Sequence, residues 1–331
     1  MKLKSVSSRK IIASFGNETV EATLTFDDGT SSTASIPAGI SAGKYEVAKV
    51  APDQAINQIG QIGQICVGSD WTQETLDAAI SSHGFGGNAT LAVSAAFFKS
   101  TIRYPLTAIR FPKLFLLLFE GGKHGNPNLT IQEFCLVEDS VSQAEFDFKK
   151  LREHLTETGV ETLVGAEGAF SPANFDNAQA IESIKTLFRS KPIALDLAGS
   201  FGQTTMNFTA IFSVEDPYDD ESWEKFAALN ATGQLLVIGD DLTTTNPVRI
   251  QKAIDQKAIG GVVIKPNQIG TISAALEAVK LAQSAGLKII VSHRGEETDD
   301  TWIVDFALAA KADYVKFGGM ERGERVAKYN R

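Results

Sequence analysis

Six apolar runs in the second half of the chain each end in charged side chains. Residues 193–195 run into Asp196, 211–214 into Glu215-Asp216, and 235–239 into Asp240-Asp241. Residues 262–264 run into Lys265, 289–292 into His293-Arg294, and 314–315 into Lys316. One charged strand end marks only where a strand meets water, but six in succession imply a shared purpose. Carboxylates brought together without cations repel and raise one another's pKa. A hard divalent cation relieves that conflict, and an all-oxygen ligand set favours Mg²⁺ over zinc. A lysine facing the same cation can act as a base once the positive charge lowers its pKa. The pattern points to a metal-assisted site for an anionic substrate, with the strand-end carboxylates at 196, 215–216 and 240–241 gathered near an ion and Lys265 and Lys316 facing both metal and substrate.

Such residues meet only if their strands lie side by side with their ends on one rim. From about Arg110 onward, short apolar runs alternate with amphipathic helical stretches, the signature of consecutive βα units. Nine runs are candidates: 113–119, 130–137, 162–165, 193–197, 211–214, 235–239, 261–265, 288–292 and 313–317. A (β/α)₈ barrel needs eight and gathers its chemistry at the carboxyl ends of its strands. Run 162–165, next to Gly165 and Gly168, reads as the one off the barrel. A doubly wound sheet is the competing fold, but no glycine-rich phosphate fingerprint follows a strand. Thr271 is placed to cap a helix that Gly286 ends, and Asn246-Pro247 opens another.

The expected division is an α+β N-terminal capping domain over 1–110 and the barrel with its site over 111–331. In the first part, 18–26 and 32–36 read as a hairpin around Asp27-Asp28-Gly29. A loop over 36–44 carries Gly39, Ser41 and Gly43, and helices are expected near 53–64, 73–81 and 88–99. The Phe97-Phe98 pair reads as core.

Composition narrows the function class. Thirty-one Lys and Arg against 40 Asp and Glu give a net charge of −9, which speaks against a nucleic-acid partner, since phosphate-backbone binding needs clustered cations. Cys66 and Cys135 match no metal spacing and suit a reducing compartment. The basic, polar stretch 1–10 has no apolar segment behind it, and the longest apolar run, 114–119, is far too short for a bilayer. A cytoplasmic protein with no membrane association is expected.

With these residues in view, the chain resembles the enolase family. The motifs Glu215-Asp216-Pro217, Gly239-Asp240-Asp241-Leu242-Thr243, Asn246-Pro247, Lys265-Pro266-Asn267-Gln268-Ile269-Gly270 and Ser292-His293-Arg294 occur in that family's order. So do Gly16-Asn17, Thr19-Val20-Glu21, Gln132-Glu133-Phe134, Glu324-Arg325 and Ala327-Lys328-Tyr329-Asn330. The likeness runs from about residue 9 to the end.

The resemblance implies an enolase-like fold and dehydration of 2-phosphoglycerate to phosphoenolpyruvate with two Mg²⁺ ions, the second brought with substrate. Asp196, Glu215 and Asp240 would bind the first ion, and Ser41 the second. Lys265 would remove the proton at C2, with Glu167 and Glu133 protonating the departing hydroxyl. Lys316 would clamp the substrate carboxylate and Arg294 its phosphate, while His124, Gln132, Ser292 and His293 would line the pocket. Glu133, set among Ile131, Phe134 and Leu136, would be a buried charge that demands a partner. His83 and His154 lack such a setting and read as structural or surface residues. A homodimer would pair Arg9 with Glu324 across subunits.

The chain also departs from the family. It is short, with only 198–210 between two barrel strands and one helix over 142–158. Ala166 stands where the family has an aspartate beside Glu167. Two alternatives follow: an inactive enolase-like binding protein, or an enolase-superfamily enzyme acting on another acid.

Overall fold

The computed structural model describes residues 1–39, 43–102, 110–200 and 211–331. Leu3–Ile12 (β1), Glu18–Phe26 (β2) and Ser31–Ser35 (β3) form an antiparallel sheet in that order. Alternation along β2 buries Val20, Ala22, Leu24 and Phe26 on one face. β1 is an element the sequence pattern did not reveal. It is an edge strand with mostly solvated side chains, so it carries no apolar alternation.

Pro52–Cys66 (α1), Gln73–Ser81 (α2) and Gly87–Thr101 (α3) fall near their expected positions. α3 is buried through most of its length because it lies between the sheet and the barrel, touching β2 and β3 on one side. On its other side the Thr90 hydroxyl donates to the Gly270 carbonyl at 2.8 Å and Ser94 Oγ accepts from the Ile272 amide at 2.9 Å. The Val47 amide to Gln268 carbonyl bond (2.8 Å) and the Lys99–Asp300 ion pair (2.9 Å) continue this seam.

The rest of the chain alternates as Lys113–Glu120 (β4), Glu133–Glu138 (β5), Val141–Glu157 (α4), Asn177–Leu187 (α5), Ile193–Asp196 (β6) and Ile211–Glu215 (β7). Trp223–Ala231 (α6), Leu236–Gly239 (β8), Pro247–Asp255 (α7), Gly261–Ile264 (β9) and Ile272–Ser284 (α8) follow. Lys288–Ser292 (β10), Trp302–Ala309 (α9), Tyr314–Lys316 (β11) and Gly323–Asn330 (α10) complete it. The eight strands β4–β11 close into a barrel, and 162–165 stays outside it, with Val164 making only an isolated bridge to Phe170. The caps act as their residue types require. The Thr271 hydroxyl accepts from the Ala274 amide, and Asn246 Oδ1 from that of Val248.

One expectation is corrected. The barrel does not consist of βα units throughout, because β5 runs antiparallel to both β4 and β6. A parallel crossover needs a dozen or more residues, usually helical. The β4–β5 connection is spent on turns around Gly121, Gly122 and Gly125, so the chain reverses instead. Both α4 and α5 then fall between β5 and β6. β6 and β7 do pair in parallel, from Ile193↔Ile211 to Asp196↔Glu215. Of the connection that looked tight for this crossover, 201–210 lies outside the described residues.

The barrel interior explains the charged strand ends. Cys135, Ala194, Ile238, Val263 and Ile290 belong to one buried interior cluster. Side chains two apart share a face of a strand. One step toward the rim therefore come Glu133, Asp196, Asp240, Lys265 and Ser292, with Glu215 above Ser213 and Lys316 above Tyr314. Because β5 is reversed, its first residue rather than its last reaches this rim.

Candidate active site

Strand register sets the first row of groups. Glu133 stands opposite Asp196, Asp196 opposite Glu215, and Ser292 opposite Lys316. Lys316, only 2% exposed, reaches into the row of acids. Its Nζ lies 2.7 Å from Glu215 Oε1, 3.2 Å from Asp196 Oδ2 and 3.3 Å from Glu133 Oε2. Burial works against this ammonium, but the charges of Glu133, Glu215 and Asp196 outweigh it and hold its pKa well above the lysine norm. Lys265 pairs in the same way with Asp240 Oδ2. Its pKa is raised despite burial because of the Asp240 charge. Burial, then the Asp196 charge, pushes the Glu215 carboxyl well up.

Loops supply the second row. Glu167 is 2% exposed, with Oε1 3.4 Å from His124 Nδ1 and Oε2 3.5 Å from His293 Nε2. Burial opposes its charge, yet the two imidazoles hold Glu167 well below the usual carboxylate range. His124, although partial burial opposes its charge, is raised to about 9, chiefly by the Glu167 charge. His293 is lowered to about 4 by burial, with the Arg325 charge adding to it. Arg325 Nη1 lies 2.5 Å from His293 Nδ1. An arginine only donates, so Nδ1 accepts and the ring proton sits on Nε2, facing Glu167. Burial, and the Glu167 charge against that of Lys316, raises Glu133 to about 8. The two glutamates are thus driven apart, Glu133 toward its protonated form and Glu167 toward its ionised one.

Both rows line one cleft of ≈ 510 Å³, whose wall includes His124, Gln132, Glu133, Glu167, Asp196, Asp240, Lys265, Ser292, His293, Arg294 and Lys316. Glu215 sits below its wall, against Lys316. Gln132 Nε2 donates to Asp196 Oδ2 at 3.3 Å. The Ser292 hydroxyl donates to the His293 carbonyl at 3.0 Å. Arg294 pairs with Glu46 at 3.1 Å and donates to Asn267 Oδ1 at 3.0 Å. Ser41 lies outside the described residues. Arg9 pairs with Glu21 of the same chain at 2.6 Å, and Glu324 lies 3.5 Å from Arg325 Nε. His83 is exposed and bonds the Ala79 carbonyl, and His154 lies in the last turn of α4.

The donor set suits a hard divalent cation. Asp196, Glu215 and Asp240 are buried carboxylates at the ends of adjacent strands, and Asp240 Oδ1 is buried with no hydrogen-bond partner among the described residues. A lone buried lone pair among acids is costly unless a cation takes it. Two further sets bring possible ligand atoms within 4.8 Å of one another: His124, Glu133 and Glu167, and Asp216, Asp240 and Asp241. In the second set, however, Asp216 spends both oxygens on the Asp240 and Asp241 amides, which makes it the brace of that loop.

Several of these partners gave little sign in the sequence. Asp216 stands in the strand-end pattern beside Glu215, but nothing in that pattern separates a brace from a ligand. Glu46 lies in a loop and Arg325 on the last helix, with no periodic signal. Glu120 obeys the strand-end rule and was legible: it ends the run 113–119 just as Asp196 ends its own.

A family model of the enolase C-terminal TIM barrel domain matches residues 189–331. The chain is 30% identical, over 397 aligned positions, to a protein named enolase from Beutenbergia cavernae, covering 99% of this chain and 93% of that one.

Proposed function

Because this chain belongs to the enolase family, we propose that it is a hydro-lyase that dehydrates 2-phosphoglycerate to phosphoenolpyruvate. The observation that carries the reading is one cleft that holds Lys265, paired with Asp240, together with the buried carboxylates of Glu133 and Glu167. Lysine removes the proton next to the substrate carboxylate; protonated Glu133 gives its proton to the 3-hydroxyl, which leaves as water. Ionised Glu167 keeps that proton on Glu133 near neutral pH, since separation of paired pKa values assigns acid and base roles. Lys316 and Arg294 take the substrate's carboxylate and phosphate, and His124, Gln132, Ser292 and His293 line the pocket around them.

Two Mg²⁺ ions belong to this reading, one held by Asp196, Glu215 and Asp240 and one by Ser41. Ions held by these residues would supply positive charge to neutralise the substrate carboxylate and the charge that develops beside it. The chain's own contribution is the base. Lys265, seated beside Asp240, is the group placed to take the proton and hold it at Nζ. The reading extends to a cytoplasmic homodimer joined through Arg9 and Glu324, which sedimentation at increasing concentration tests.

A second reading, a family member that binds without turnover, is favoured by the Glu46–Arg294 pair, which occupies the guanidinium meant for phosphate. Ultraviolet absorbance of phosphoenolpyruvate separates the two. The enzyme reading expects Mg²⁺-dependent growth of signal that Lys265→Ala abolishes. No turnover at any Mg²⁺ concentration, with 2-phosphoglycerate still bound, overturns it.

A further inference from the structure

Beneath the loop that carries Glu167 lies a glutamate with no part in the chemistry above. Glu120, the last residue of β4, has no exposed surface. Its carboxylate is gripped by backbone: the Glu167 amide donates to Oε2 at 2.7 Å and the Ala169 amide to Oε1 at 2.8 Å. The loop is shaped to admit it. Gly168 turns the chain at φ +83°, and a Cβ on Gly165 would stand 2.4 Å from Glu120 Cδ. The Glu120 main chain is fixed as well, its amide donating to the Phe170 carbonyl at 3.0 Å and its carbonyl accepting from the Ser171 hydroxyl at 2.9 Å. Arg322 Nε braces the Gly165 carbonyl at 2.8 Å. Ala166, beside Glu167, has no polar group with which to share the task. A buried carboxylate is costly where an apolar side chain would pack, so its presence here calls for a role.

We propose that Glu120 is a positioning residue for Glu167, its two oxygens fixing the amides that set where the Glu167 side chain stands between His124 and His293. Burial and then the Glu167 charge push Glu120 up to about 8. The grip survives either protonation state, because both oxygens keep a lone pair for an amide. The inference rests on the reading of Glu167 as one of the acid pair.

Glu120→Gln tests it, since the amide nitrogen of glutamine cannot accept from the loop. The first measurement needs no turnover: titration of the His124 imidazole by NMR in the full chain, assigned with His124→Gln. Displacing Glu167 from His124 is expected to lower that pKa from about 9 by one unit or more. The second is steady-state kinetics with 2-phosphoglycerate and Mg²⁺. A drop in kcat of about 10–100-fold with KM within about threefold is expected, the range for a catalytic group displaced by an ångström. Gly165→Ala, which drives a methyl into the same carboxylate, is expected to repeat both effects and serves if Glu120→Gln does not fold. A lowered Tm with the His124 titration unchanged means packing only and overturns the proposal. If the wild-type chain fails to turn over 2-phosphoglycerate, the functional reading falls while the His124 titration still decides the role of Glu120.

Discussion

The two walls of the cleft are built by different means. On one, Asp196, Glu215 and Lys316 each end a strand, and ladder register fixes their spacing before any side chain makes a contact. On the other, His124, Glu167 and His293 ride on loops, and their positions depend on backbone amides, Glu120 and Arg325. Strand-borne groups inherit precision from the barrel; loop-borne groups need dedicated supports. Substitutions on the first wall should therefore remove chemistry without moving its neighbours. Those on the second should spread from the support to the group it holds.

The sharpest contrast comes from the lysine. Lys265→Ala should lower kcat by about 10²–10⁴-fold, the scale of a lost general base, and leave the His124 titration where it was. A His124 shift in that variant would break the distinction between the walls. Asp216→Asn should act at one remove, because Asp216 holds the Asp240 and Asp241 amides. Mg²⁺ binding by calorimetry should weaken about 10–100-fold, as for other supports of a metal ligand. Retention of full Mg²⁺ affinity would mean that register alone suffices there.

Smaller effects sharpen the loop wall. Arg325→Met removes the donor that keeps Nδ1 of His293 an acceptor, so the His293 pKa should rise from about 4 toward the usual imidazole value, read by NMR. The His124–Glu167 pair should also mark stability against pH. Because folding raises the His124 pKa to about 9, its contribution is fully present below about 6.5 and lost as pH rises through 9. Comparing the Tm of the wild type and His124→Gln should give a gap of a few degrees at pH 6 that closes by pH 10, on the order of 1–2 kcal/mol. A gap that widens with pH would contradict the pairing.

How much of this was legible follows the same line. Asp196, Glu215, Asp240, Lys265 and Lys316 were readable because a period of two carries an inward apolar residue directly to an inward charge. The direction of β5 was not, since apolar alternation reads the same both ways and only the turn-rich, helix-free connection around Gly121 and Gly122 betrays the reversal. Arg325 and Glu46 act across long sequence separations, 32 residues to His293 and 248 to Arg294, and no local pattern records such a meeting. β1 escaped because an edge strand has little to bury.

The ammonium groups of Lys316 and Lys265 among the rim carboxylates have a consequence for handling the protein. They act as resident counter-ions, so folding does not wait on a mineral supply, unlike small domains that collapse only around their metal. Stripping with a chelator should leave the melting profile nearly intact, and a chain synthesised under magnesium starvation should reach its native shape and stand ready for loading.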